Sequence, residues 1–305
     1  MRFTTVLFLA GILLPGVVCA QDGPFGKGCR LWLPMDKLVD GKFLDPATGT
    51  VCETTGKPPV QDGGVLASQF NVLSAPALDL NDVTDALTVA AWIAPAKQPQ
   101  SYETLIFKGK REGSGSQQIH FCLSLCDGRP EFKFTNEQGA WKGILRNADT
   151  FTITGDKPVP LAEVPAVEAT RWSHVAVTFD RGHVTLYING ETTLSGPAGT
   201  ERLVSNDYPL LIAEGQANTG HRAYVFTGLV GNVRLFDRAL AADEMRALYA
   251  HERVSKSDEP LKIAQPVPEG YDPQFRQKLA ITVEYEKNIP PTTVTESNCQ
   301  AAVAM

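Results

Sequence analysis

The sequence predicts an all-β protein, two antiparallel sheets packed as a sandwich, with one short C-terminal α-helix. Three observations carry this. In residues 171–194, Val175, Val177 and Phe179 alternate with His174, Ala176 and Thr178. After a break at Asp180-Arg181-Gly182, the alternation resumes in Val184, Leu186 and Ile188 and ends at Asn189-Gly190. A period of two places one set of side chains on a core face, and Asn-Gly tolerates the positive φ of a tight hairpin turn. The second observation is residues 87–93, where Leu87, Val89, Ala91 and Ile93 share one face and Trp92 the other. Both faces are apolar, as in a central strand covered on both sides. The third is the helical spacing of Met245, Leu248 and Tyr249 after the strand-like residues 228–236.

The remaining elements follow in order. Residues 29–33 read as a first strand ending at Pro34, followed by a long loop over 36–64. Residues 104–108 form a short strand, and Ile119, Phe121, Leu123 and Leu125 alternate with His120, Cys122, Ser124 and Cys126. Asp127-Gly128 turns the chain into Glu131-Phe132-Lys133-Phe134, a further hairpin. Residues 136–169, with Trp141 and three prolines, read as an irregular insertion at the rim. At the helix start, Asp243 and Glu244 suit the positive end of the helix dipole, and Leu240 with Met245 are spaced as a hydrophobic staple.

The chain has 305 residues, 43% of them hydrophobic and 20% charged, with a formal net charge of −6. That balance suits a globular domain and disfavours nucleic acid as a partner. Residues 1–20 read as a signal peptide: Arg2, an apolar run, then Val18-Cys19-Ala20. The run is short for a membrane span, and no transmembrane segment is expected. Export follows, to a secreted, periplasmic or cell-surface location. Cys19 also allows a lipoprotein reading, which Val18 directly before it disfavours. Residues 29–251 form the domain, and 252–305 a Pro-rich linker or tail with one strand at 279–286.

Without Cys19, five cysteines remain in an oxidising compartment. Cys122 and Cys126 lie about 13 Å apart if one strand holds both, too far for a disulfide, which needs Cα atoms within about 7 Å. Cys29 with Cys52 is the expected pair, although spacing alone does not assign connectivity. A zinc site from His120, Cys122 and Cys126 fails on the same spacing. No base is poised beside any cysteine in sequence, and no Gly-x-Ser-x-Gly or phosphate-binding loop is present. His174 reads as a sheet histidine satisfied by hydrogen bonds, and Trp92 and Trp172 as packing residues.

Several of these words also carry a family likeness. Trp172-x-His174-Val175-Ala176, then Asp180-x-Gly182 and Val184-x-Leu186-Tyr187-Ile188-Asn189-Gly190, resembles the central hairpin of laminin-G-like domains. Leu87-Thr88-Val89-x-Ala91-Trp92-Ile93, Asp45 to Gly49, and the final strand followed by a short helix resemble the same family. The likeness spans residues 29–251 and implies a concanavalin A-like jelly roll of the lectin/glucanase superfamily. It implies a carbohydrate or an extracellular protein as partner, and calcium as a cofactor at the rim. Asp36 and Asp45 are the calcium candidates, with Asn232 standing where the family often has an acid. The Glu-x-Asp-x-x-Glu strand word of the hydrolytic members is absent, so a non-catalytic binding module is expected. Glu284 and Glu286 share a face only in the tail. Trp141 with His221, Arg222 and Tyr224 form the expected ligand-binding rim site. The alternatives are a structural or adhesive surface protein without a sugar site and, third, a polysaccharide-active enzyme.

Overall fold

The computed structural model describes residues 25–264, apart from 113–115, 148, 154–157 and 218–219. The expected signal peptide, Cys19, Cys299 and the strand at 279–286 lie outside the described residues.

Two large antiparallel sheets face each other. The eight-stranded sheet begins with β16 (Glu191–Pro197), β15 (His183–Ile188), β14 (Ser173–Asp180) and β7 (Ala86–Pro95). It continues with β20 (Gly228–Phe236), β5 (Gly64–Ala67) and β4 (Val60–Gln61), and β1 (Cys29–Leu33) also pairs with β20. The ten-stranded sheet begins with β13 (Val159–Pro160), β12 (Thr150–Ile153), β11 (Trp141–Asn147), β10 (Arg129–Thr135) and β9 (Ser116–Cys126). Then come β8 (Tyr102–Glu112), β17 (Leu210–Ile212), β6 (Val72–Ala75), β3 (Val51–Thr55) and β2 (Phe43–Leu44). A two-stranded ribbon, β18 (Gly215–Gln216) with β19 (Arg222–Ala223), stands apart.

The hairpins sit where the alternation places them. Arg181 and Gly182 between β14 and β15, and Asn189 and Gly190 between β15 and β16, all have positive φ. Such two-residue turns match the twist of the strands they join. The Asn189 side-chain oxygen also accepts the His174 backbone N–H at 2.9 Å. On β7 and β14, Leu87, Val89, Ala91, Ile93, Val175, Val177 and Phe179 meet the ten-stranded sheet in the core. Ala90 and Ala176 point the other way, against Met245 and Leu248 of helix α1 (Ala242–Arg253). Leu240 joins Met245 there, as a staple requires. Ala241 has no side-chain acceptor, so only half of a capping box forms, the Ala241 N–H donating to Glu244 Oε2 at 2.9 Å.

A buried polar clamp ties α1 to this outer face. Arg234 Nε lies 2.5 Å from Glu252 Oε1, and Trp92 Nε1 donates to Glu252 Oε2 at 2.8 Å. His174 packs between Trp92 and Tyr249, fully buried, and neither of its ring nitrogens has a hydrogen-bond partner. The expected satisfied sheet histidine is therefore corrected. Burial, and secondarily the nearby Arg234 charge, pushes its pKa down to about 3. Beyond α1, Leu261 is buried against Trp172, Trp92 and Leu229, and Lys256 Nζ donates to the Gly63 carbonyl. The chain from 255 to 264 lies on the domain instead of trailing from it.

Three further expectations change. Residues 141–160 carry three strands that extend the ten-stranded sheet, where the sequence suggested an irregular insertion. Gly143 in β11 conceals this, since any Cβ there would sit 2.3 Å from the Phe132 carbonyl oxygen. A register shift between β8 and β9 falls at His120, whose ring reaches the Val83 carbonyl at 2.7 Å. Ile119 consequently joins Phe107 and Cys122 on the outer face instead of Phe121 in the core. The Cys29–Cys52 disulfide is not formed, and all four described cysteines are free thiols. Cys29 packs in the cluster under α1, whereas Cys52 lies in the core between the sheets, on a strand of the opposite sheet.

Candidate functional site

A cavity of about 250 Å³ opens on the outer face of the ten-stranded sheet. Its floor is set by register. Thr104 on β8 stands opposite Ser124 on β9, which stands opposite Glu131 on β10. One step along, Phe107, Cys122, Lys133 and Gly143 form the next row across β8, β9, β10 and β11. These positions alternate with core residues Leu123, Leu125, Phe132 and Phe134, so they must face outward. Tyr102, Arg111, Trp141 and Arg146 ring the floor, and the ribbon residues Gly215 and Gln216 with Tyr224 cover one side.

The ribbon is fastened to the sheet. The Thr104 N–H donates to the Tyr224 carbonyl at 2.7 Å, and a Cβ on Gly215 would lie 2.7 Å from Thr104 Oγ1. Only glycine allows that approach. Arg111 reaches across: its N–H donates to Gln216 Oε1 at 3.1 Å and its Nη1 to the Gln216 carbonyl at 3.0 Å.

Glu131 is the anionic centre of the floor, 2% exposed. Its Oε2 accepts from Ser124 Oγ at 3.1 Å and Lys133 Nζ at 2.8 Å, and its Oε1 accepts the Arg146 N–H at 3.0 Å. Burial works to lower the Lys133 pKa, but Glu131 and its other neighbours outweigh it and hold the ammonium above the usual lysine range. Lys133 Nζ lies 4.6 Å from the centre of the Tyr102 ring and 5.8 Å from that of Trp141. Arg111 lies over Trp141 at 5.3 Å and Tyr224 at 5.9 Å. Such cation–π contacts hold both charges in place. Burial and then Glu131 push the Tyr102 phenol up to about 12, so it is a protonated donor at neutral pH. Arg146 pairs with Asp127 at 2.7 Å and reaches Cys126 Sγ at 2.9 Å. Burial raises the pKa of Cys122 and Cys126, so both thiols stay protonated and neither is an activated nucleophile.

Of the four residues assigned to a rim site, two meet at this cavity: Trp141 and Tyr224. Arg222 instead anchors the ribbon, pairing with Glu214 and donating to the Gln69 and Asn71 carbonyls at 3.0 and 2.6 Å. His221 is exposed at the ribbon turn and does not line the cavity. Tyr102, Arg111, Ser124, Glu131, Lys133 and Arg146 also line the cavity and were not among the expected site residues; the alternation in 119–126 and 131–134 carried a signal for Ser124, Glu131 and Lys133.

Asp45 does not fit a calcium ion. Its Oδ2 accepts the Trp32 N–H at 2.8 Å, and its Oδ1 those of Ala47 and Thr48 at 2.7 and 3.1 Å. Both oxygens are thus spent on the backbone of its own loop and of β1. The Asp36 charge works to raise the pKa of Lys256 against the larger effect of burial, and the Asn232 N–H donates to the Pro34 carbonyl at 3.0 Å. Among the described residues, no three His, Cys, Asp or Glu side chains are placed to hold a metal ion.

A laminin-G family model, described as the concanavalin A-like lectin/glucanases superfamily, matches residues 67–246, more than half of the chain. The chain belongs to this superfamily. Among curated proteins, none matches. Solved structures share this chain's fold at low sequence identity. A Trypanosoma rangeli sialidase mutant displaying trans-sialidase activity gives a TM-score of 0.51 at 16% identity, over 76% of this chain and 34% of its own. The binding domain of Paraclostridial Mosquitocidal Protein 1 gives 0.51 at 18% identity, over 73% of this chain and 52% of its own. The chain therefore spans about a third and about half of these two structures, and the likeness speaks for the fold. Among the described residues, no helix is long and apolar enough to cross a membrane.

Proposed function

We propose that this chain is an exported, non-catalytic binding module that holds a carbohydrate in the cavity on the outer face of its ten-stranded sheet. The observation that carries this is the lining itself. Three aromatic side chains, Tyr102, Trp141 and Tyr224, stand around hydroxyl and amide groups on Thr104, Ser124 and Gln216. Amphipathic rings with a few fixed polar groups on a rigid sheet are what recognition of a small polar ligand requires. The volume, just under the roughly 300–1,000 Å³ of drug-sized sites, suits a single sugar ring.

The non-catalytic reading is supported by the carboxylates. A retaining glycosidase needs two about 5–5.5 Å apart, and among the described residues Glu131 is the one carboxylate lining this cavity, its oxygens engaged by Ser124, Lys133 and Arg146. Export is supported by the apolar leader in residues 1–20. A glycan array followed by calorimetry on the wild type, Trp141→Ala and Tyr224→Ala tests the reading. Binding weakened at least tenfold in both variants, with unfolding midpoints retained, is expected. Unchanged binding in Trp141→Ala moves the site elsewhere, and no glycan bound by the wild type sinks the carbohydrate reading.

A further inference from the structure

We infer a second carbohydrate subsite at one end of the sandwich, where a vicinal diol of a neutral sugar is held between Lys108 and the carboxylates of Asp79 and Asp207. A cleft of about 230 Å³ opens there, between residues 76–81 after β6 and residues 206–207 before β17. Lys108 on β8 also lines it. In register, Lys108 stands opposite Leu210 on one side and Phe121 on the other, and Leu210 stands opposite Ala75. Those three neighbours are core residues, so a lysine takes a core-facing position, and it is 1% exposed.

A buried ammonium is costly unless its donors are met. Lys108 Nζ makes one hydrogen bond among the described residues, to the Tyr208 carbonyl at 2.7 Å. Burial lowers its pKa and outweighs the opposing charges of Asp207 and Asp79, which act on it without closing an ion pair. The walls carry the matching acceptors. Asp79 Oδ1 accepts the Asn81 N–H at 2.9 Å, and Asp207 Oδ1 accepts from Asn81 Nδ2 at 2.5 Å. Oδ2 of both carboxylates and Oδ1 of Asn81 have no partner among the described residues. The walls are also held in place. Arg30 donates to Asp82 at 2.7 Å and to the Asp79 carbonyl at 3.2 Å, and Asn206 Nδ2 donates to the Gln118 carbonyl at 3.1 Å.

This pattern selects the ligand. Two carboxylates against one ammonium disfavour an anion, and the ammonium disfavours a metal ion or an amine. A hydroxyl both donates and accepts at one atom, so adjacent hydroxyls of one ring donate to Asp79 and Asp207 while accepting from Lys108. Such charge-assisted bonds are about twice as strong as neutral ones. Pro76, Ala77 and Leu78 supply an apolar edge for the ring C–H groups. The cleft shares no lining residue with the outer-face cavity, so the two readings stand or fall separately.

The test titrates methyl α-glycosides of mannose, galactose and glucose into the full chain to millimolar concentration, with tetrahydropyran as the ring without hydroxyls, and follows backbone amides by NMR. Saturable shifts at residues 79–81 and 206–207 with at least one glycoside, and none with tetrahydropyran, are expected. They should persist in Trp141→Ala. Asp207→Asn, altered at an exposed residue, should weaken them by about tenfold or more, as loss of a charge-assisted bond implies. Lys108→Met should do the same, and if it does not fold, Asp207→Asn decides. No saturable shift at these residues with any glycoside overturns the inference, as does unchanged affinity in Asp207→Asn. Shifts that vanish in Trp141→Ala also overturn it, since the sugar then sits in the outer-face cavity.

Discussion

His174 offers a measurement of how the outer face of the eight-stranded sheet is built. Its ring is fully buried, packed 5.4 Å from Trp92 and 6.1 Å from Tyr249, and no group accepts or donates a hydrogen bond at either nitrogen. Burial and then the Arg234 charge lower its pKa to about 3, from a reference value of 6.5. A depressed histidine stays neutral in the folded protein while the unfolded chain takes up a proton, so stability is lost as pH falls below about 6.5 and continues to fall toward 3. Each unit of difference is worth about 1.4 kcal/mol, so between pH 7 and pH 5 this residue alone removes about 2 kcal/mol. His174→Phe keeps an aromatic between Trp92 and Tyr249 and removes the titration. Urea unfolding of both proteins at pH 7 and pH 5 isolates the effect, because all other titrating groups, His120 included, are common to the two. The wild type should lose about 2 kcal/mol more than the variant over that interval. An equal loss in both would mean that His174 is solvated or hydrogen-bonded in solution, and the account of this face would fall.

Three further outcomes are expected. Glu252→Ala should destabilise the fold by about 3–5 kcal/mol in urea titration, because it leaves the buried Arg234 without its counter-charge and Trp92 Nε1 without its acceptor. Alkylation in denaturant without reductant, read by mass spectrometry, should label Cys29 and Cys52 fully, and a peptide bridging them would contradict the placement of their strands in opposite sheets. The unfolding midpoint should be the same in EDTA and in millimolar calcium; a rise of several degrees with calcium would show that Asp45 is more than a clamp on its own loop.

The fold was legible because a core face imposes a period of two on strands, and the core residues of 87–93, 175–179 and 184–188 recur at that period. The Arg181-Gly182 and Asn189-Gly190 turns add a local signal that needs no tertiary knowledge. Strands 141–147 and 150–153 were hidden because Gly143 and short length weaken the pattern. His120 misled for a different reason. A one-residue register shift exchanges faces, and nothing in the spacing of Ile119, Phe121 and Leu123 announces it. The site was half legible. Trp141 and Tyr224 were found as aromatics in polar surroundings, but a cavity on a sheet face is assembled from alternate residues of several strands. Glu131 and Lys133 meet Ser124 and Tyr102 only through pairing that sequence does not fix. Arg222 illustrates the reverse error: its charge drew attention, while its bonds to Glu214, Gln69 and Asn71 make it a fastening.

The docked stretch after α1 has a practical bearing on where this domain ends. Leu261 packs on Trp172 and Trp92, the Leu261 N–H donates to the Thr170 carbonyl at 2.7 Å, and the Gln61 side chain bonds the chain at both Lys262 and Ala264. A fragment cut at residue 251, where the family likeness suggests a boundary, would cut inside α1, lose Glu252 and leave Arg234 buried without it. It would bare an apolar strip of two tryptophans and two leucines to water, an invitation to self-association. A fragment carried through residue 264 keeps that strip covered, on the sheet opposite the one that carries the cavity.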